Sequence, residues 1–172
     1  MDLKAHIRQF PDFPKPGILF YDISTLLAHS EAWRETVDRV ADAVRAYRPD
    51  MLAAIESRGF IFAGPVACQL GIGFTMVRKV GKLPGAVVSH AYDLEYGSDT
   101  LQVAEGLGPK GSRVVLIDDL RATGGTAQAS VELLRKVGAE VVGAVFLIEL
   151  MGLKGRTRLD IPMTTLLGYA GG

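Results

Sequence analysis

Apolar and polar positions along the chain alternate between two periods, and that alternation predicts the elements. SEAWRETVDRVADAVRAYR, residues 30 to 48, puts Trp33, Val37, Val40, Ala41, Val44 and Tyr47 at helical spacing behind a Ser30 cap, with Pro49 closing the run. MLAAIE (51 to 56) is a short apolar strand that breaks at SRG, FIFAGPVACQL (60 to 70) a helix ending at Gly71, and FTMVRK (74 to 79) the next strand. Between Val80 and about Ser98 the pattern dissolves into Gly, Pro and isolated polar residues, which predicts a functional loop or a small hairpin, with DTLQVAEG as a brief edge strand. RVVLID (113 to 118) and EVVGAVFLIEL (140 to 150) are unalternating apolar strands, separated by a helix over 125 to 137 that Gly138 closes.

Strands of that kind are covered on both faces, and strand, helix, strand repetition gives a right-handed parallel arrangement. The expected class is α/β, a central mainly parallel sheet flanked by helices. With 172 residues the chain suits one domain over 1 to 172. The 48% hydrophobic fraction fits a globular fold, and 19 basic against 19 acidic side chains leave no surplus that would call for nucleic acid or an anionic membrane. MDLKAHIRQF has no apolar signal core and no stretch reads as a membrane span, so the expected location is the cytoplasm. The one cysteine, Cys68, excludes an internal disulfide framework and reads as a buried, inert thiol.

In such sheets ligands bind beyond the carboxyl ends of the strands. VVLIDDLRATGGT places its motif there: Asp118 and Asp119 where the chain leaves the sheet, then Ala122, Thr123, Gly124, Gly125 and Thr126 turning into a helix start. A helix N-terminus offers unpaired N–H groups, glycines let backbone approach closely, and threonines add hydroxyl donors, so the turn is a phosphate cradle. Carboxylates accept only, which suits a pair of hydroxyls. Phosphate beside diol describes a ribose 5-phosphate. GLGPKG formally matches a dinucleotide motif but precedes a strand, and Lys82 after Gly81 lacks the remainder of a nucleotide-binding P-loop. His6, His29 and His90 form no metal set.

VVLIDDLRATGGT resembles the phosphoribosyl-pyrophosphate signature of the type I phosphoribosyltransferases. FPDFPKPGILFYDIS, ESRGFIFAGPVA, VRKVGKLPG and YDLEYG, in order and over nearly the whole chain, are similar to the adenine-specific members of that family. The resemblance implies a type I phosphoribosyltransferase fold, with a small N-terminal hood at about 10 to 28 and a flexible active-site loop at about 80 to 100. The implied reaction is transfer of a phosphoribosyl group from phosphoribosyl pyrophosphate to adenine, giving AMP and pyrophosphate in purine salvage. It carries the glycine turn onto the 5′-phosphate and Asp118 and Asp119 onto the ribose hydroxyls. Ser57, Arg58 and Gly59 fall on a pyrophosphate loop that often has a non-proline cis peptide beside the arginine, and Arg78, Lys79 and Lys82 on further pyrophosphate contacts. Glu95 is implied as the acid/base toward the purine, with Tyr96 near the reacting centre and Arg58 in a catalytic role; Leu19, Phe20, Tyr21 and Leu150 are implied adenine contacts. Mg²⁺ is expected to enter with the substrate, with no protein ligand assigned, and a homodimer is expected.

Two positions depart from the family pattern. Tyr21 stands where Arg is usual: if residue 21 is read through backbone atoms, Tyr is tolerated and adds stacking, whereas if its side chain matters, substrate affinity or the choice of purine changes. Arg121 stands where Leu is usual and either adds charge near the phosphates or points into solvent. Two alternatives to adenine transfer stay open at this level: a transferase for hypoxanthine, guanine or xanthine, and a non-catalytic phosphoribosyl-pyrophosphate sensor.

Overall fold

The computed structural model describes residues 1–94, 97–106, 108, 110–122, 124–152 and 159–170. A seven-stranded sheet is built from β3 (Met51–Ile55), β4 (Gly73–Lys79), β5 (Val87–Asp93), β6 (Ser98–Ala104), β7 (Arg113–Arg121), β8 (Glu140–Leu150) and β9 (Met163–Tyr169), in the order β5-β6-β4-β3-β7-β8-β9. From β4 to β9 every neighbouring pair is parallel; β6 joins β4 antiparallel and pairs with β5 as a hairpin. A separate antiparallel pair, β1 (Arg8–Pro11) and β2 (Leu19–Asp22), forms the hood.

The expected buried strands explain the two cores. Successive side chains on a strand point to opposite faces, so Leu52, Ala54, Val115, Ile117, Val145 and Leu147 enter one apolar cluster while Ala53, Ile55, Val114, Leu116, Ala144 and Phe146 enter the other. α1 (Ser24–Ala28), α2 (Ser30–Arg45) and α3 (Gly59–Leu70) cover the first face, where Trp33 meets Phe62 edge-on with ring centroids 5.5 Å apart. α4 (Gly125–Lys136) covers the second through Ala127, Val131, Leu133 and Leu134.

Several elements differ from their expected form. α2 is capped by His29, whose Nδ1 accepts from the Ala32 N–H at 3.1 Å, so Ser30 is the first helical residue and not the cap. The helix stops at Arg45 because Ala46 to Arg48 turn, with Arg48 at a φ of 52°. The irregular 80 to 98 segment contains β5, a full strand paired residue for residue with β6, which resolves the choice between loop and hairpin. β7 continues to Arg121, so Asp118 and Asp119 lie within its last turns of pleat and not in the exit loop.

Cys68 is exposed, contrary to the buried thiol expected. α3 buries Gly59, Phe62, Ala63, Val66 and Ala67, a stripe at helical spacing, and Cys68 falls one step off it. β9 and α1 had no sequence expectation. No described helix is long and apolar enough to cross a membrane.

α2 approaches the sheet over β8 at a glycine. A Cβ on Gly143 would stand 2.6 Å from the Tyr47 ring, whose hydroxyl is tied to Thr164 Oγ1 at 2.7 Å. Gly143→Ala is expected to destabilise the fold by about 1–3 kcal/mol through overpacking, read as a lower urea midpoint at unchanged slope; an unshifted midpoint would contradict this packing.

Candidate active site

The site lies at the carboxyl ends of β3 and β7, the two central parallel neighbours. β3 ends at Ile55 and the chain turns through Glu56, Ser57 and Arg58 into α3, with the Glu56–Ser57 peptide cis, one bond before the arginine's own peptide. Gly59 opens α3 against the end of β7: a Cβ there would lie 3.0 Å from the Ile117 carbonyl oxygen and 3.2 Å from Asp118 Oδ1. Only glycine lets the pyrophosphate-loop candidate pack this closely on the carboxylate pair.

Asp118 and Asp119 accordingly share a small space with Arg58. Arg58 Nε is 2.7 Å from Asp119 Oδ2, and the Asp119 N–H donates to Asp118 Oδ1 at 2.8 Å. Ser57, Arg58, Asp118 and Asp119 line a pocket of about 300 Å³ with Glu56 and Leu120. The Arg58 guanidinium also sits 5.6 Å from the centroid of the Phe20 ring, which links this pocket to the hood. Removal from water, followed by the neighbouring Asp119 charge, pushes the Asp118 carboxyl well above its ordinary range; the Arg58 charge opposes the shift only as a lesser effect.

A second cavity, of about 390 Å³, shares Glu56, Asp118 and Leu120 with the first and extends to Ala122, Gly124 and Thr126. Gly124 holds a φ of 87° and Gly125 begins α4, so the glycine turn does present a helix start to the cavity. Carboxylate pair and turn therefore adjoin in one continuous cleft. Thr123, Glu95 and Tyr96 lie outside the described residues.

The basic candidates separate. Arg78 pairs with Glu56 (3.4 Å) and lies over the Phe60 ring, whereas Lys79 approaches Asp99 (3.6 Å) and lines the larger cavity. Glu56 Oε1 also accepts from the Lys79 N–H at 2.7 Å, tying β4 to the turn that carries Arg58. Lys82 is exposed in the turn beyond β4, away from both pockets' linings.

In the hood, alternation along β2 divides the adenine candidates. Phe20 turns toward Phe10, Phe13 and Arg58. Tyr21 is buried, its ring centroid 4.7 Å from that of Tyr169, which in turn neighbours Leu150 across β8 and β9; Leu19 packs on the same cluster. Lys4 closes this stack, its ammonium 4.4 Å from the Tyr169 centroid and bonded to the Gly168 carbonyl. The Tyr21 side chain is thus a hood anchor, leaving its backbone for any contact with a base. Arg121 does not reach into solvent: it is buried, paired with Glu149 at 3.1 Å opposite it on β8, and lines the larger cavity beside Ala122 and Gly124, while Glu149 also accepts from Thr165.

Residues the sequence left unassigned also line the cleft: Glu56, Asp99 and Tyr92, whose hydroxyl is 3.2 Å from that of Thr126. Tyr92 stands inside YDLEYG, and period-2 alternation once β5 is recognised sets it facing α4.

The raised Asp118 pKa has a consequence for stability. The folded protein holds this proton more tightly than the unfolded chain does, so the contribution is complete below the unfolded carboxyl pKa of about 3.9 and is lost as pH rises through the folded value. Asp118→Asn keeps the acceptor for the Asp119 N–H and removes the charging cost. The ligand-free variant is expected to be more stable than wild type at neutral pH, by about 2–4 °C in melting midpoint for each kcal/mol recovered, with the gap closing toward pH 4. A variant less stable at neutral pH would contradict the assigned shift.

The family model "Phosphoribosyl transferase domain" matches residues 23–164. An adenine phosphoribosyltransferase of Gluconacetobacter diazotrophicus is 63% identical over 170 residues, 98% of this chain and 96% of that protein. Among solved structures, adenine phosphoribosyltransferase from Thermoanaerobacter pseudethanolicus superposes with a TM-score of 0.93 at 43% identity, covering 98% of each chain. The Saccharomyces cerevisiae enzyme, solved with adenine and an imino-altritol bisphosphate, gives 0.89 at 39% identity over 96% of this chain and 97% of that one. By its cleft, its topology and these full-length likenesses, the chain belongs to the adenine phosphoribosyltransferase family, with the type I phosphoribosyltransferase fold.

Proposed function

We infer that the two adjoining pockets serve one substrate, with the carboxylate pair at the boundary between its pyrophosphate and its 5′-phosphate. The chain is a transferase of purine salvage: it moves the phosphoribosyl group of phosphoribosyl pyrophosphate onto adenine, releasing pyrophosphate and forming AMP. The observation that carries the residue assignment is the order along the cleft, Arg58, then Asp119 and Asp118, then the Gly124 turn. That order matches an anion clamp, a diol acceptor and a phosphate cradle.

Each group answers one demand of the reaction. The glycosidic bond to pyrophosphate loosens before the bond to the base forms, so the sugar carbon becomes oxocarbenium-like. Asp118 and Asp119 accept hydrogen bonds from the ribose hydroxyls and fix that carbon in place. Arg58, half-exposed and in contact with Asp119 through one nitrogen, retains donors for the departing pyrophosphate. Phe20 and the hood supply an apolar face for adenine, Leu150 with Tyr21 and Tyr169 the buried backing. Ser57 and Gly59 shape the anion loop, Lys79 with Arg78 and Lys82 adds positive charge along β4 and its turn, and Ala122 to Thr126 hold the 5′-phosphate. Glu95, beside Tyr96, takes the purine proton, a role that rests on the YDLEYG motif.

Mg²⁺ accompanies the pyrophosphate group in this proposal. The described residues include no cluster of three or more His, Cys, Asp or Glu that would chelate an ion unaided. The hard carboxylate oxygens of Asp118 and Asp119 beside the anion loop fit an ion held mainly by substrate oxygens and water. Bound there, it neutralises charge on the leaving group.

The chain acts as one domain over 1 to 172 and as a homodimer. Ile61 and Met76 are exposed apolar residues, and Met76 shares a face of β4 with Phe74 and Arg78, both near the Phe60 ring. A second copy covering that patch would stand beside the Arg58 turn. The cytoplasm is the proposed location, since phosphoribosyl pyrophosphate carries too much charge to cross a membrane unaided.

Pyrophosphate release from phosphoribosyl pyrophosphate with Mg²⁺ is expected with adenine and not with hypoxanthine or guanine. Release with an oxo-purine alone would contradict the hood assignment, and binding without release would favour the sensor. Glu95→Gln is expected to lower turnover about 10²–10⁴-fold with little change in substrate KM; undiminished turnover would remove its acid/base role.

A further inference from the structure

The β5–β6 hairpin lies along α4, and three contacts set its position there. Lys136 Nζ donates to the Ser89 carbonyl at 3.2 Å, His90 Nε2 pairs with Glu132 at 2.7 Å, and the Tyr92 hydroxyl is 3.2 Å from Thr126 Oγ1. As the strand advances from 89 to 92 the helix is met at 136, then 132, then 126. The strand therefore runs toward the helix N-terminus, and period-2 alternation puts His90 and Tyr92 on the face that looks at the helix. His90 is committed to Glu132.

Tyr92 is delivered by this docking to the larger cavity, beside Gly124 and Thr126 of the glycine turn. Each hydroxyl carries one donor and two acceptor sites. In the Tyr92–Thr126 contact one O–H is used and the other remains available, so the pair always presents a spare donor. Phosphate oxygens accept only, and a donor directed at an ionised acceptor makes a stronger bond than one between neutral groups.

We propose that Tyr92 is a ligand of the dianionic 5′-phosphate monoester, its hydroxyl completing the cradle formed by the glycine turn, with the His90–Glu132 contact as its positioning clamp. The inference rests on the reading that this cavity takes the 5′-phosphate. It makes substrate phosphate part of what joins the β5–β6 hairpin to α4.

The test is steady-state kinetics on wild type and Tyr92→Phe, each substrate varied in turn, with AMP binding by calorimetry. Removing only the hydroxyl is expected to raise the KM for phosphoribosyl pyrophosphate and weaken AMP binding by about tenfold or more, leaving the KM for adenine and the melting midpoint unchanged. Unaltered KM for phosphoribosyl pyrophosphate with unaltered AMP affinity would overturn the proposal. So would equal rises in both KM values, which would make Tyr92 a packing residue. Absence of pyrophosphate release by the wild-type chain would instead overturn the transferase reading, and this inference with it.

Discussion

The close approach of α3 to the end of β7 is the constraint on which the site depends. A strand end with two adjacent carboxylates is an unfavourable thing to bury, because each charge loses water and repels the other. The chain meets that cost by bringing Gly59 against the Ile117 carbonyl and the Asp118 carboxyl, which places Arg58 on Asp119. The same approach sets the anion loop beside the glycine turn. Without it the acidic strand end and the glycine turn would not share one cleft with Arg58.

Around this centre, three structural ties hold the elements that surround the site. Glu56 joins the Arg58 turn to β4 through Arg78 and the Lys79 backbone. The Lys4, Tyr169 and Tyr21 stack fastens the hood to the last strand of the sheet. The Arg121–Glu149 pair, with Thr165, crosses β7, β8 and β9 just before the glycine turn. Burying such a pair adds little net stability, yet it fixes one geometry strongly because either partner left alone would be costly. Of the two departures from the family pattern, Tyr21 anchors the hood and Arg121 lines the larger cavity from within a buried ion pair.

Much of this was legible in the sequence, and for physical reasons. VVLID and EVVGAVFLIEL have no alternation, a sign of burial on both faces, and the acid pair followed by a glycine turn carries its own chemistry. Other parts depended on three-dimensional packing. β9, MTTLLGY, is mostly half-buried at a sheet edge and gives neither a continuous apolar run nor a clean alternation. α1 is five residues long, too short for a period. The cap of α2 is an imidazole nitrogen, outside the usual Ser, Thr, Asp and Asn signals. Cys68 sits in a helix so apolar that composition hides the buried stripe, and nothing local to Arg121 signals Glu149, its partner across β8. Tyr92 stood in a motif whose neighbouring residues drew the chemistry, and its facing became evident only with the β5–β6 register.

Whether Asp118 and Asp119 accept from a ribose diol is a property of the unmodified protein that binding can read. Calorimetry would compare the binding of AMP with that of its 2′,3′-dideoxy analogue, which keeps the base and the phosphate. Loss of both hydroxyls leaves the carboxylates without donors, so the analogue is expected to bind at least about tenfold more weakly. Equal affinity for the two nucleotides would mean that Asp118 and Asp119 do not bind the diol.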